Sequence, residues 1–407
     1  MLSCRRPLAF AAATIVSVVG CTAVLAPAAS ADTIRAGQQW VFDLMNVAPA
    51  WQQSQGAGVT VAVIDSGVDG RVSDLTGQVT QGPDFTGVTT SPSNPNWGVH
   101  GTWMASLIAG HGHDGGDSGV LGIAPRAKVL SVRVIPDKAD PRYSAYEHEP
   151  EDQIQSSLAK GINYAVASGV QVISMSIGYS APSTEVRQAL LNAVKRNVVV
   201  VASAGNSGDS AGTDHQGQAP ESFPADYPGV ISVGAVSNTG SVAGFSSDNL
   251  SVQVAAPGVN VPAQGRDGQY WYVSGTSPAC ALVAGVAALI KSRYPGLSPH
   301  LVANALTQTT TGRPSGKYDS QIGFGIVDAA GALASAGQMA GVSHAVSASA
   351  SMPGESHFGG GPLAVPAEPV RPRGNGSLIL YAALGLTCLV LIAAAITRLA
   401  VLRRASP

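Results

Sequence analysis

Charge is scarce in this chain of 407 residues: Asp, Glu, Lys and Arg together make up 12% of it, and their formal sum is -2. Nothing in that balance argues for a nucleic-acid partner. Cysteine is scarcer still, with Cys4 and Cys21 near the N-terminus, Cys388 in a C-terminal apolar stretch, and only Cys280 in between. One cysteine in the folded part excludes an internal disulfide, so the domain relies on its own core. Aromatic residues amount to 5%, and Lys is sparse beside Arg, whereas Ala, Gly and Val abound.

Two long apolar runs are present, one at each end. The first follows Arg5 and Arg6 and closes on "APAASA" at Ala31. A basic head, an apolar middle and a small-x-small exit describe a secretory signal peptide over residues 1–31. Inside it, "VVGC" ending at Cys21 resembles a lipobox, which offers lipidation of Cys21 as the alternative. The second run, residues 377–397, carries no charge and is long enough to cross a bilayer core of about 30 Å. Arg398, Arg403 and Arg404 follow it, so the positive-inside rule keeps the tail, 398–407, in the cytoplasm and everything between the two runs outside. Residues 336–376 are dominated by Ala, Gly, Ser and Pro without a period, as a flexible stalk is. The expected layout is therefore a folded domain over 32–335, with an N-terminal extension at 32–57, on a stalk and a single transmembrane helix in the cell membrane.

Within 32–335, short β-branched runs at 59–64, 128–135, 170–177, 198–203 and 230–236 read as strands. Helical patterns occupy 100–110, 152–169 and 183–197, and a long Ala, Leu and Val segment after Ser277 reads as a buried helix ending near Tyr294. Alternation of this kind predicts an α/β fold, a mostly parallel sheet with helices on both faces. Ligands of such sheets bind beyond the carboxyl ends of the strands.

Four polar residues stand at those positions. Asp65 ends the first strand in "VAVIDSGVDG", His100 opens a helix in "NWGVHGTWMASLIAG", Asn206 follows the fourth strand in "VVVVASAGNSG", and Ser277 opens the buried helix in "VSGTSPACALVAGVAAL". Each has a bland reading: a turn residue, a helix-entry residue, an αL turn and a helix cap. Together they have a chemical one. A serine becomes a nucleophile when a neutral imidazole takes its proton, a carboxylate holds the other ring nitrogen, and an amide donates to the oxyanion that forms. The chain order Asp, His, Asn, Ser is the subtilisin order.

With "VAVIDSGVD", "HGTWMASLIAG", "LGIAPRAKVLSVRV", "ISMSIG", "ASAGN" and "GTSPACALVAGVAAL" in place, the sequence resembles the subtilisin-type serine proteases over nearly all of 40–330. The anchor, the stalk and the opening "DTIRAGQQWVFDLMNVAPAW" resemble more narrowly the mycosins, anchored proteases associated with type VII secretion in Gram-positive bacteria. The resemblance implies a subtilisin-like three-layer fold and a serine endopeptidase with Asp65, His100 and Ser277 as triad and Asn206 at the oxyanion. It further implies an edge strand at Ser174, Ser176, Ile177 and Gly178 that pairs with an extended peptide. Ser203, Ala204 and Gly205 would border the pocket for the residue before the cut. Implied partners are a protein or peptide substrate, the membrane and a type VII secretion complex; no cofactor and no metal are expected. The competing reading is a non-catalytic scaffold that stabilises such a complex.

Departures from the family pattern are visible. Val99 stands where a glycine usually precedes the histidine, Ala281 where a proline usually stands four residues after the serine, and Pro278 lies next to the nucleophile instead. The disulfides common in mycosins are ruled out by the cysteine count. Two polar stretches read as solvated surface: the Gly-rich "HGHDGGDSG" at 111–119 and the acidic "DKADPRYSAYEHEPED" at 137–152, the latter expected near the cleft entrance.

Overall fold

The computed structural model describes residues 22–25, 31–113, 115, 118–208 and 219–340. The predicted transmembrane segment, the tail and most of the stalk lie outside them, as does most of the predicted signal peptide. In chain order the elements are β1 (Thr22–Leu25), α1 (Ala31–Leu44), α2 (Val47–Trp51), β2 (Thr60–Asp65), β3 (Val79–Asp84), α3 (Val99–Ala109), β4 (His111–His113), β5 (Ser118–Leu121) and β6 (Lys128–Arg133). There follow α4 (Tyr143–Glu147), α5 (Glu151–Ala167), β7 (Val172–Met175), α6 (Thr184–Lys195), β8 (Val199–Ser203), β9 (Val230–Val236), β10 (Val252–Pro257), β11 (Val261–Gln264), β12 (Tyr270–Ser274), α7 (Thr276–Arg293), α8 (Pro299–Gln308) and α9 (Ala329–Met339).

Seven strands form one sheet in the order β10-β9-β8-β7-β2-β6-β3, every neighbouring pair parallel. Buried on both faces, its central strands are nearly all apolar, as in "VVVAS" and "VISVGAV". One face carries α5 and α6, whose apolar stripes meet Ala62, Ile64, Ile173 and Val200. The opposite face carries α3 and α7. Helix α7 is buried from Thr276 to Lys291 rather than along one stripe, so it fills the centre of the molecule. This is the expected α/β architecture.

The N-terminal extension is knitted into the domain. Gln38, buried, donates to Leu121 O (3.2 Å) and accepts from Leu121 N (2.9 Å), acting as a backbone partner for β5. Asn46 reaches Asp328 (3.0 Å), and Trp51 Nε1 donates to Ile123 O (2.8 Å). Strand β1, inside the stretch read as a signal peptide, runs antiparallel to β12. At the other end α9 continues to Met339, past the expected domain boundary at 335.

Both stretches expected to be solvated are corrected. Residues 111–121 contain the antiparallel pair β4 and β5, held down by Asp74, which takes His113 Nδ1 (2.6 Å) and Val120 N (2.6 Å). In 137–152, Asp140 is buried and ion-paired with the buried Arg133 (2.9 Å), and Tyr146 lies in the core. Charge density alone hid these partners, because Arg133 sits on a strand and is drawn into the interior only by the carboxylates that fold over it.

Candidate active site

Asp65 ends β2 at the sheet centre with its carboxylate buried; it accepts from Ser66 N (2.6 Å) and lies 2.8 and 3.0 Å from His100 Nδ1. The histidine comes from the first turn of α3, and two glycines bring that turn down onto β2. Gly98 precedes the helix at φ 70, in the left-handed region. At Gly101 a Cβ would stand 2.1 Å from Gly67 O, and its N–H donates to Ser66 Oγ (3.1 Å). The chain therefore approaches more closely here than any side chain allows.

Ser277 is the second residue of α7, fully buried, with an Oγ that makes no hydrogen bond. Helix α7 begins at Thr276, so Pro278 is its third residue, and its missing N–H is among those a helix leaves unpaired. Asn206, just past β8, is fixed to this turn. Its Oδ1 accepts from both the N–H and the hydroxyl of Thr276 (2.9 Å each), which assigns its amide nitrogen to the opposite side. Gly205 N donates to the same threonine hydroxyl (3.3 Å). Thr276 thus ties the end of β8 to the residue before Ser277, a role the sequence did not reveal.

The expectation of an edge strand at Ser174 is corrected. Strand β7 pairs with β2 on one side and β8 on the other, through Met175. Ser174 Oγ faces Cys280 Sγ (3.7 Å) in the interior, and the Ile177 side chain belongs to the core. Only beyond Met175 does the segment reach the cleft: Ser176 lines it beside His100 and donates to Ser277 O (3.3 Å), and Gly178 follows, buried. Ser203 and Ala204 are fully buried, and Gly205 is buried as well. Cys280, one turn after Ser277, is a buried free thiol whose pKa burial pushes up to about 12. It is packing, not a reactive thiolate.

His100 and Ser176 open on a cavity of about 450 Å³ whose walls include Val99, Trp103, Asp137 and Trp271. The rings of Trp103 and Trp271 lie 5.7 Å apart, and Trp103 meets His100 edge to face at 6.2 Å. Asp137 accepts from the N–H of Val99 (2.8 Å) and of His100 (3.0 Å). The stretch that opens at Asp137 was expected near the cleft entrance, and Asp137, Lys138 and Ala139 do line it; the grip of Asp137 on α3 and the two tryptophans were not marked by the sequence. Among the described residues no cluster of His, Cys, Asp and Glu is arranged to hold a metal.

Comparison with known proteins identifies relatives of this chain. Subtilisin DY of Bacillus licheniformis is 37% identical over 260 residues, covering 64% of this chain and 86% of the relative. The crystal structure of MycP1 from the ESX-1 type VII secretion system superposes with a TM-score of 0.63 at 30% identity, covering 79% of this chain and 91% of that one. MycP1 from Mycobacterium smegmatis gives 0.62 at 27% identity, over 81% and 95%. Residues 56–325 match the family model for Peptidase S8, and the chain belongs to the Subtilase family.

Proposed function

We propose that this subtilase is a membrane-anchored, extracellular serine endopeptidase that cleaves peptide bonds through an acyl-enzyme on Ser277. In this reading Ser277 Oγ attacks the substrate carbonyl while His100 Nε2 takes the hydroxyl proton. Asp65 holds His100 Nδ1–H, fixes the tautomer and stabilises the imidazolium. The oxyanion is met by the Asn206 amide and the Ser277 N–H, the latter at the positive end of α7. His100 then returns its proton to the leaving amine, and water, deprotonated by the same histidine, attacks the ester and releases Ser277. The peptide would lie along Ser176, Ile177 and Gly178 through backbone contacts, with Ser203, Ala204 and Gly205 beside the residue before the cut.

The observation that carries the proposal is the pairing of Asp65 with His100 at 2.8 Å together with a buried Ser277 hydroxyl that makes no hydrogen bond. A buried hydroxyl without a partner costs about 1–3 kcal/mol, an expense a folding-only role gives no reason to keep. Likeness to the MycP1 structures supports a link to type VII secretion, and the charge-free run at 377–397 supports the anchor.

A fluorophosphonate probe applied to the detergent-solubilised full-length chain tests the enzyme reading. Labelling of Ser277 in the wild type and none in Ser277→Ala is expected. A folded wild-type chain that stays unlabelled sinks the proposal in favour of a scaffold, a reading that needs the fold but not the hydroxyl.

A further inference from the structure

We infer that Asp137 is a positioning residue for His100, its carboxylate clamping the first turn of α3 and adding a second negative charge beside the imidazole. The inference rests on the enzyme reading given above. Gly98, at the N-cap of α3, has no side chain with which to satisfy the open N–H groups of the first turn. Asp137 supplies that acceptor from a different segment: Oδ2 takes Val99 N at 2.8 Å and Oδ1 takes His100 N at 3.0 Å, so one carboxylate spans two consecutive donors. A bidentate grip fixes direction as well as distance, and the second donor is the backbone of the histidine itself.

The clamp has its own anchor. Three residues on, Asp140 is tied to buried Arg133, which also donates to Ser66 O (3.1 Å), next to Asp65. The two carboxylates that flank His100 are therefore set by one buried guanidinium, Asp65 through its own strand and Asp137 through the loop after β6. Other charges around Asp137 do not cancel it. Lys138, adjacent on the same loop, is exposed to solvent, and so is Asp267 on the opposite wall. Arg266 on that wall is buried and committed to Asp69 (3.3 Å). That leaves His100 and Asp65, both electrostatically coupled to Asp137.

Burial pushes the Asp137 carboxyl up to about 6, against the pull of the two backbone N–H groups and of His100 and with the Asp65 charge adding to the rise. Above that pH it is ionised; below it, the clamp loses its charge. An ionised carboxylate beside His100 favours the imidazolium, which raises the histidine's pKa and stabilises the charge that develops during attack.

The test is the pH profile of kcat and kcat/KM for Asp137→Asn and Asp137→Glu against the wild type, in the full-length detergent-solubilised chain. For Asn the plateau kcat should fall about tenfold with KM within about twofold, and the acid limb should move down by about half a pH unit; Glu should restore the wild-type limb. A folded Asn variant with wild-type kcat and an unmoved limb overturns the assignment. Should the Asn variant not fold, NMR of the His100 ring in the Ser277→Ala chain decides, since it needs no change at 137. Two inflections, one from the imidazole and one from the neighbouring carboxyl, are expected, and a single-site titration overturns it. Loss of wild-type probe labelling would instead strike at the enzyme reading, which keeps the two failures apart.

Discussion

The side chain of Asn206 shows how a residue that touches no reacting bond in the resting enzyme can be held ready for one. Its oxygen is committed twice to Thr276, and this determines which face of the amide presents donors. In the proposed mechanism, replacing it by Ala removes one oxyanion donor; it also leaves the Thr276 hydroxyl and N–H without their acceptor. In subtilisins such a donor is worth about 10²–10³ in kcat, or about 3 kcal/mol of transition-state stabilisation. For Asn206→Ala we therefore expect kcat to fall by that factor while KM changes little, because the interaction exists only once the carbonyl oxygen becomes charged. Steady-state kinetics on a peptide ester and a peptide amide would check it; a rise in KM with unchanged kcat would assign Asn206 to ground-state binding instead. Thr276→Val is the companion, since it removes the hydroxyl donor alone and should cost less than the Asn206 change.

At the level of elements, the approach of α3 to β2 is governed by Gly101. A methyl group there would sit 2.1 Å from Gly67 O and 3.3 Å from Asp65 Cβ, both rigid, so α3 must lift away from the strand that carries Asp65. Gly101→Ala should destabilise the chain by about 2–4 kcal/mol and reduce activity further than the loss of folded protein explains, through a longer Asp65–His100 contact. Gly296→Ala is the control: with no atom within 4 Å of the added Cβ it should stay within about 0.5 kcal/mol of wild type. Urea titration with the m-value fitted separates the two.

The same elements explain what the sequence disclosed. Runs such as "VVVAS" declare themselves because a strand covered on both faces must be apolar at every position. Strand β3, "VTQGPD", sits at the sheet edge with polar residues and a proline, and β11 and β12 belong to a small separate sheet, so neither shows that pattern. Asp65, His100, Asn206 and Ser277 were legible because each stands where an element starts or stops, the positions that an open parallel sheet offers to a site. Asp137 was not, since its partners are backbone N–H groups 38 and 37 residues away, which carry no residue type to recognise. Ser174 misled for a related reason: identity in a motif says nothing of whether a neighbouring strand covers it.

For the whole molecule, the proposed anchor bears on where this cleft works. Helix α9 ends at Met339 and the apolar run begins at 377, so a stalk of Ala, Gly, Ser and Pro would separate domain from bilayer. The full-length chain should stay with membranes through alkaline carbonate washing and be digested by protease added to intact cells, whereas a chain ending at 376 should be released. Both forms should cleave a small soluble peptide at equal rates, because the groups proposed to act in catalysis all lie between Asp65 and Ser277. Against a substrate tethered to the same vesicle surface the anchored form should win by roughly the ratio of effective to bulk concentration, which for a short flexible tether reaches the millimolar range. Equal rates on the tethered substrate would mean that the anchor stores the enzyme without directing it, and full-length protein found in the soluble fraction would remove the anchor altogether.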